Sequence, residues 1–221
     1  MQDKFKNINN KPHFLAAQLI KNQREEEFKL IKPVSLKKNS KLLKNINKGT
    51  LYWITGLAGA GKTSVGNILF KYIKKKYRNT VFLDGDILRA ILGYENINYD
   101  KVSRMSIAMQ YARLSKLFTD QGINVIFATI SMFDSVRAWN RKNINNYVEI
   151  YLKVPIDILI ARDKKHLFSN AIKNKKQNVV GIDIKIEEPK NPDIVIENSE
   201  KVSIDNLSKD LINKLILDYK L

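Results

Sequence analysis

The chain has 221 residues, carries 39 Lys+Arg against 22 Asp+Glu for a net charge of +17, and contains no cysteine. Such a length suits one domain with at most an appendage. The missing cysteine excludes disulfides, thiolate zinc sites and thiol catalysis, and two histidines are too few for a histidine metal site. No apolar run reaches the length of a membrane span, and the polar N-terminus lacks an apolar signal core, so a cytoplasmic protein with no membrane partner is expected.

Residues 1–49 stand apart, with 12 basic and 4 acidic side chains. A helix is predicted over 13–31 around Phe14, Leu15, Leu19, Ile20 and Phe28, ended by Pro33, and the Lys/Asn-rich stretch over 35–48 reads as a linker or a loosely docked strap. The expected organisation is therefore a basic N-terminal extension, 1–49, and a catalytic domain, 50–221. Lysine is spread over the whole chain without an arginine-rich, aromatic-interleaved strip, so nucleic acid is not an expected partner.

From residue 50 apolar strands alternate with helical stretches, the α/β pattern of a parallel sheet. Strands are predicted over 51–55, 80–83, 124–129, 148–153 and 194–196, and helices over 63–75, 101–121, 135–145, 156–164 and 206–219. Between the first strand and the first helix lie Gly56, Leu57, Ala58, Gly59, Ala60, Gly61, Lys62 and Thr63, which fit G-x-x-x-x-G-K-[ST] without mismatch and are followed by Ser64. Glycines let successive backbone N–H groups point at phosphate oxygens, and the helix N-terminus adds partial positive charge. Lys62 is placed to reach the β- and γ-phosphates of ATP, and the Thr63 hydroxyl to ligate Mg²⁺.

The second strand runs into Asp84-Gly85-Asp86, with Arg89 one turn on. Carboxylates at the C-terminal end of a parallel strand face the ligand crevice. One of them can hold Mg²⁺ through water, or accept the proton of an attacking hydroxyl, and Asp84 is assigned with Thr63 to the metal. Arg89 suits an anionic substrate. The alternative for this run is a βα turn with Asp86 as helix N-cap. The third strand ends at Ile130-Ser131-Met132, so Ser131 emerges at the same crevice unless it is a turn residue. Arg137 and Arg141, one turn apart on the next helix, are either a solvated face or phosphate ligands. The polar stretch from Arg162 through Lys165 and His166 to Asn178 suits a lid over ATP, with His166 on its surface.

These motifs, in this order, resemble the adenylylsulfate (APS) kinase family of P-loop kinases over about residues 48–198. The matching runs are W-I-T-G-L-A-G-A-G-K-T ending at Thr63, L-D-G-D-I-L-R ending at Arg89, K-L-F-T-D-Q-G ending at Gly122, Ile130-Ser131, R-D-K-K-H-L-F from Arg162, and G-I-D-I-K-I-E-E-P-K-N-P from Gly181. The resemblance implies a three-layer P-loop NTPase fold, a parallel sheet flanked by helices with a mobile lid. It also implies MgATP as phosphoryl donor, a small nucleotide as acceptor and a homodimer. The transfer it implies is to the ribose 3′-hydroxyl of adenosine 5′-phosphosulfate. Ser131 matches a serine assigned in the family as phospho-acceptor, although in-line transfer needs no such intermediate.

The sequence departs from the family at the acceptor pocket. Tyr99 stands for a stacking phenylalanine and Arg104 keeps one arginine, but Ile107, Met109 and Gln110 replace an asparagine and paired arginines, and Val179 replaces a second aromatic. Arg89, Tyr99, Arg104, Ile130, Ser131, Met132 and Val179 are the expected acceptor contacts, and Arg162 belongs to the ATP side. Losing a stacking face costs on the order of 1–3 kcal/mol per base. The run from Ser131 to Arg141 is similar to a capsule-associated branch of the family whose acceptor is a cytidine diphosphoramidate, and a pyrimidine needs less stacking surface. A nucleotide-binding regulatory module without turnover is the non-enzymatic alternative.

Overall fold

Side-chain alternation along two central strands sorts the chain into layers. In the computed structural model the strand Thr50–Thr55 sends Leu51 and Trp53 into one core and Tyr52 and Ile54 into another. The strand Asn124–Ala128 does the same with Val125 and Phe127 against Ile126. Successive residues of a strand face opposite sides of the sheet, so a strand apolar at every position requires cover on both faces.

The structure describes residues 47–94, 97–163, 166–173, 177–198 and 203–219. In chain order the elements are β1 (Thr50–Thr55), α1 (Lys62–Lys76), β2 (Thr80–Asp84), α2 (Gly85–Ile91), α3 (Lys101–Asp120), β3 (Asn124–Ala128), α4 (Asp134–Asn143), β4 (Asn146–Lys153), α5 (Ile156–Arg162), α6 (Leu167–Ile172), β5 (Ile194–Glu197) and α7 (Ile204–Tyr219). The strands pair in the order β2-β3-β1-β4-β5, all parallel. On one face α1 and α7 cover Ile54 and Ile126 with Leu69, Leu211 and Leu215. On the other, α3 and α4 bring Tyr111 and Val136 onto Trp53 and Phe127. The Phe127 ring lies 5.0 Å from Trp53 and 5.2 Å from Tyr111, centroid to centroid, within the range of favourable aromatic pairs. The chain is therefore a three-layer α/β fold, and the loops after β1, β2 and β3 open on one crevice at the carboxyl end of the sheet.

The five predicted strands and five predicted helices all form, with ends within two residues of those expected. Two short helices are not among the five predicted, although the reading of Asp86 as an N-cap implied the first. Helix α2 starts on the residue after β2, so no loop signal separates them, and Ile87 and Ile91 are exposed, which hides its helical periodicity. Helix α6 interrupts the polar stretch read as a lid, and its Phe168 and Ala171 are buried in the core. The predicted helix over 13–31, the linker up to residue 46 and Lys165 lie outside the described residues. Lys48 and Gly49, just ahead of β1, are tied to the domain. The Lys48 ammonium lies 3.1 Å from Asp120, and Gly49 N–H donates to the Thr119 carbonyl at 2.9 Å. Among the described residues no helix is long and apolar enough to cross a membrane.

Candidate active site

The loop after β1 has the backbone that only glycine adopts readily. Gly56, Gly59 and Gly61 have φ of 152°, 78° and 95°. A Cβ on Gly56 would sit 2.5 Å from the Leu152 carbonyl oxygen, so the loop is pressed onto β4 as well as curled. Gly61 is the N-cap of α1, which brings the first amides of that helix to the cleft. Leu57 and Ala60 are buried, leaving their backbone as the part facing the loop, while Ala58, Gly59, Gly61, Lys62, Thr63 and Ser64 line a cleft of about 730 Å³. The Lys62 ammonium donates to the Leu57 carbonyl at 2.7 Å. Burial pulls its pKa down to about 8, with Asp86 and then Asp84 acting in the opposite direction.

Asp84 joins the two halves of this site. One carboxylate oxygen accepts the Thr63 hydroxyl at 2.7 Å, and the other accepts the backbone N–H groups of Asp86 at 2.9 Å and Ile87 at 3.4 Å. Asp84, and not Asp86, is therefore the N-cap of α2: it has the extended backbone a cap requires, and Asp86 already lies inside the helix. That leaves Asp86 exposed on the cleft wall. A hydroxyl and a carboxylate in contact make a hard-oxygen pair that fits Mg²⁺. Among the described residues no group of three or more His, Cys, Asp or Glu could hold a metal. A magnesium ion bound here would have to bring most of its ligands as phosphate oxygens and water, which is its habit in nucleotide sites.

Across the cleft the predicted acceptor residues come together: Arg89, Tyr99, Arg104, Ile130, Met132 and Val179 all line it, as does Ser131. The guanidinium carbons of Arg89 and Arg104 lie 3.9 and 4.9 Å from the Tyr99 ring centroid. Arg89 also donates to the Ile97 carbonyl, and Arg104 to the carbonyls of Tyr99 at 2.6 Å and Asn178 at 2.8 Å. Burial, helped by the charge of Arg89, lowers the pKa of Arg104. Two cations held together, one with its Nε buried and without a hydrogen-bond partner among the described residues, can seat an anion. Ser131 is buried with its hydroxyl directed to no hydrogen-bond partner among the described residues. Of the four sequence departures, Ile107 and Val179 line the cleft. Met109 does not and packs instead against the α3 core, and Gln110 accepts the Tyr94 hydroxyl.

Arg162 is not on the cleft wall. It donates to the Asn198 side-chain oxygen at 3.4 Å, while the Asn198 amide donates to the Ala60 carbonyl at 2.9 Å and so braces the glycine loop from behind. Sequence reasoning missed Asn198, although its place immediately after β5 was a signal, since residues at the carboxyl ends of parallel strands face the crevice. His166 is exposed, as expected, and occupies a left-handed backbone position before α6.

Arg137 is not part of a solvated face, whereas Arg141 keeps an exposed side chain, and both pair with carboxylates. Arg137 is buried, 3.2 Å from the buried Glu149, and also donates to Asp134 and to the Glu187 carbonyl. Arg141 joins Glu149 and Asp193, each at 3.0 Å. Burial pushes the Glu149 carboxyl up, and the two arginines pull it back. A single glutamate on an otherwise largely apolar strand thus collects both cations, a pairing that a one-dimensional reading does not reveal.

The model of the adenylylsulphate kinase family matches residues 48–197, well over half of the chain. This chain belongs to the adenylylsulfate kinase family. Among curated relatives, a cytidine diphosphoramidate kinase of Campylobacter jejuni is 42% identical over 171 residues, covering 77% of this chain and 99% of that protein. An adenylyl-sulfate kinase of Prochlorococcus marinus is 35% identical over 172 residues, covering 77% and 85%. Among solved structures, the APS kinase of Mycobacterium tuberculosis in complex with AMPPNP and APS superposes with a TM-score of 0.68 at 28% identity, covering 76% of this chain and 98% of that one. The protein is an ATP-dependent phosphotransferase that acts on a nucleotide.

Proposed function

We propose that the enzyme transfers the γ-phosphoryl group of MgATP to the ribose 3′-hydroxyl of a cytidine diphosphoramidate. The observation that carries this reading is the acceptor wall. Val179 and Ile107, both aliphatic and nearly fully buried, face the cleft together with Arg89 and Arg104. An aliphatic wall offers a base less stacking than an aromatic one, which favours a small pyrimidine, while paired guanidiniums favour an anionic 5′ substituent. The 42% likeness to a cytidine diphosphoramidate kinase, against 35% to an adenylyl-sulfate kinase, points the same way.

In this reading the glycine loop, Lys62 and the start of α1 hold the phosphates of ATP. Thr63 and Asp84 would hold magnesium with water, and the metal would supply neutralisation of the phosphate charge during transfer. Arg89 and Arg104 orient the acceptor. Its hydroxyl oxygen attacks the γ-phosphorus in line, the bond from that phosphorus to the β-phosphate oxygen breaks, ADP departs, and Asp86 accepts the hydroxyl proton. Ser131 positions the acceptor. Arg162 acts through Asn198 on the loop, and the segment around α6 closes over the nucleotide.

The second reading, APS as acceptor in sulfate activation, is favoured by the solved relative that binds APS with AMPPNP. Measuring kcat/KM for cytidine diphosphoramidate and APS side by side tests the choice. If APS wins by ~100-fold, about 2.7 kcal/mol of transition-state preference, the cytidine reading is rejected.

A further inference from the structure

The cleft has a cationic side chain that neither the P-loop nor the arginine pair accounts for. Lys185 lines the cleft and is exposed, and its ammonium has no hydrogen-bond or ion-pair partner among the described residues. The backbone that carries it is anchored on both sides. On the N-terminal side, Val180 and Ile184 form a β-bridge, Gly181 N–H donates to the Ile184 carbonyl at 2.9 Å, and Ile184 is buried. On the C-terminal side, the Glu187 carboxylate receives the Lys101 ammonium at 2.8 Å and the Asp134 N–H at 2.9 Å, and the Glu187 carbonyl receives Arg137 at 2.7 Å.

Those anchors locate Lys185 at the acceptor end. Lys101 opens α3 two residues after Tyr99, and Asp134 opens α4 three residues after Ser131. The carboxylates nearest in sequence are engaged elsewhere: Asp183 accepts the N–H groups of Asn178 and Val179, and Glu187 caps α4. A lysine on a strap fixed within two residues on each side loses little further backbone freedom when it binds, and a contact made by an ionised donor is among the stronger ones.

We infer that Lys185 is an acceptor-binding residue whose ammonium takes the terminal anionic group of the acceptor's 5′ chain, beyond the phosphate held by Arg89 and Arg104. The inference rests on the proposed reading of the cleft as a site for a nucleotide with two anionic groups in its 5′ chain. It names the residue that would tell such a nucleotide from a nucleoside monophosphate.

Two variants test it, Lys185→Ala and Lys185→Arg, at an exposed position where neither threatens the fold. With cytidine diphosphoramidate, Lys185→Ala should raise the acceptor KM about 10-fold or more, as expected for loss of a charge-assisted contact. The KM for ATP should stay within about twofold, and Lys185→Arg should recover most of the loss. A binding measurement on protein saturated with AMPPNP separates contact from turnover: Lys185→Ala should weaken CDP while leaving CMP unchanged. If the wild-type enzyme uses APS instead, the same comparison with APS decides the role of Lys185 independently of which base is correct. An unchanged acceptor KM and CDP affinity, or an effect on the ATP KM alone, overturns the inference.

Discussion

Asp84 has a structural role and a proposed chemical one, and two substitutions can separate them. Its carboxylate caps α2 through the N–H groups of Asp86 and Ile87 and accepts the Thr63 hydroxyl at 2.7 Å. Replacing it with alanine removes the cap, worth about 1 kcal/mol, and a buried hydrogen bond, worth about 1 kcal/mol more. For a domain of this size a loss of ~2 kcal/mol lowers Tm by roughly 4–8 °C. Asparagine is as good a cap as aspartate, and its amide can still bond the Thr63 hydroxyl, so Asp84→Asn should melt within about 2 °C of the wild type. Both variants lose the negative charge beside Thr63, and both should lose ~10²-fold or more in kcat. The assays are calorimetric or fluorescence melting without ligand, and steady-state ADP release with MgATP and acceptor. The reasoning fails if Asp84→Asn keeps more than about a tenth of wild-type turnover, the charge then being dispensable. It also fails if Asp84→Ala melts with Asp84→Asn, the cap then contributing nothing.

The depressed pKa of Lys62, about 8 against 10.5 for an ordinary lysine, makes ATP binding pH-dependent. Above pH 8 the free enzyme loses that proton and the ATP phosphates restore it, so affinity should weaken as pH rises and titration calorimetry near pH 9 should record proton uptake on binding; Lys62→Ala should abolish both the uptake and turnover. If Ser131 positions the acceptor without covalent work, as proposed, Ser131→Ala should lower kcat without removing it, whereas a phosphoserine at Ser131 forming and decaying at the turnover rate would refute this. The division of the chain before β1 is also proposed: deleting residues 1–45 spares Lys48 and Gly49 with their contacts to α3, and should leave kcat near normal. An insoluble or inactive truncation would assign the segment a structural role.

Local chemistry made much of this protein legible in advance. The strands of the central sheet are apolar at consecutive positions, and the glycine loop needs φ values that side-chain-bearing residues avoid, so both announce themselves in a short window of sequence. Arg89 and Ser131 were placed at the crevice because they follow strands whose carboxyl ends meet there, whereas Tyr99, Arg104 and Val179 were expected there only from the family resemblance. What the sequence could not say concerns pairs far apart in the chain. Asp84 rather than Asp86 caps α2 because β2 runs into the helix without a loop, a matter of backbone geometry. Arg137 and Arg141 look like one helical pair, yet the strand register brings Glu149 to both, and burial makes pairing obligatory for Arg137 while Arg141 pairs from an exposed position. Asn198 reaches Ala60 across 138 residues of sequence, and Lys185 faces the cleft because Glu187, two residues on, is fastened to the starts of two helices. Local sequence determines each element and its intrinsic chemistry; only packing decides which charges find partners and which remain on the wall of the cleft.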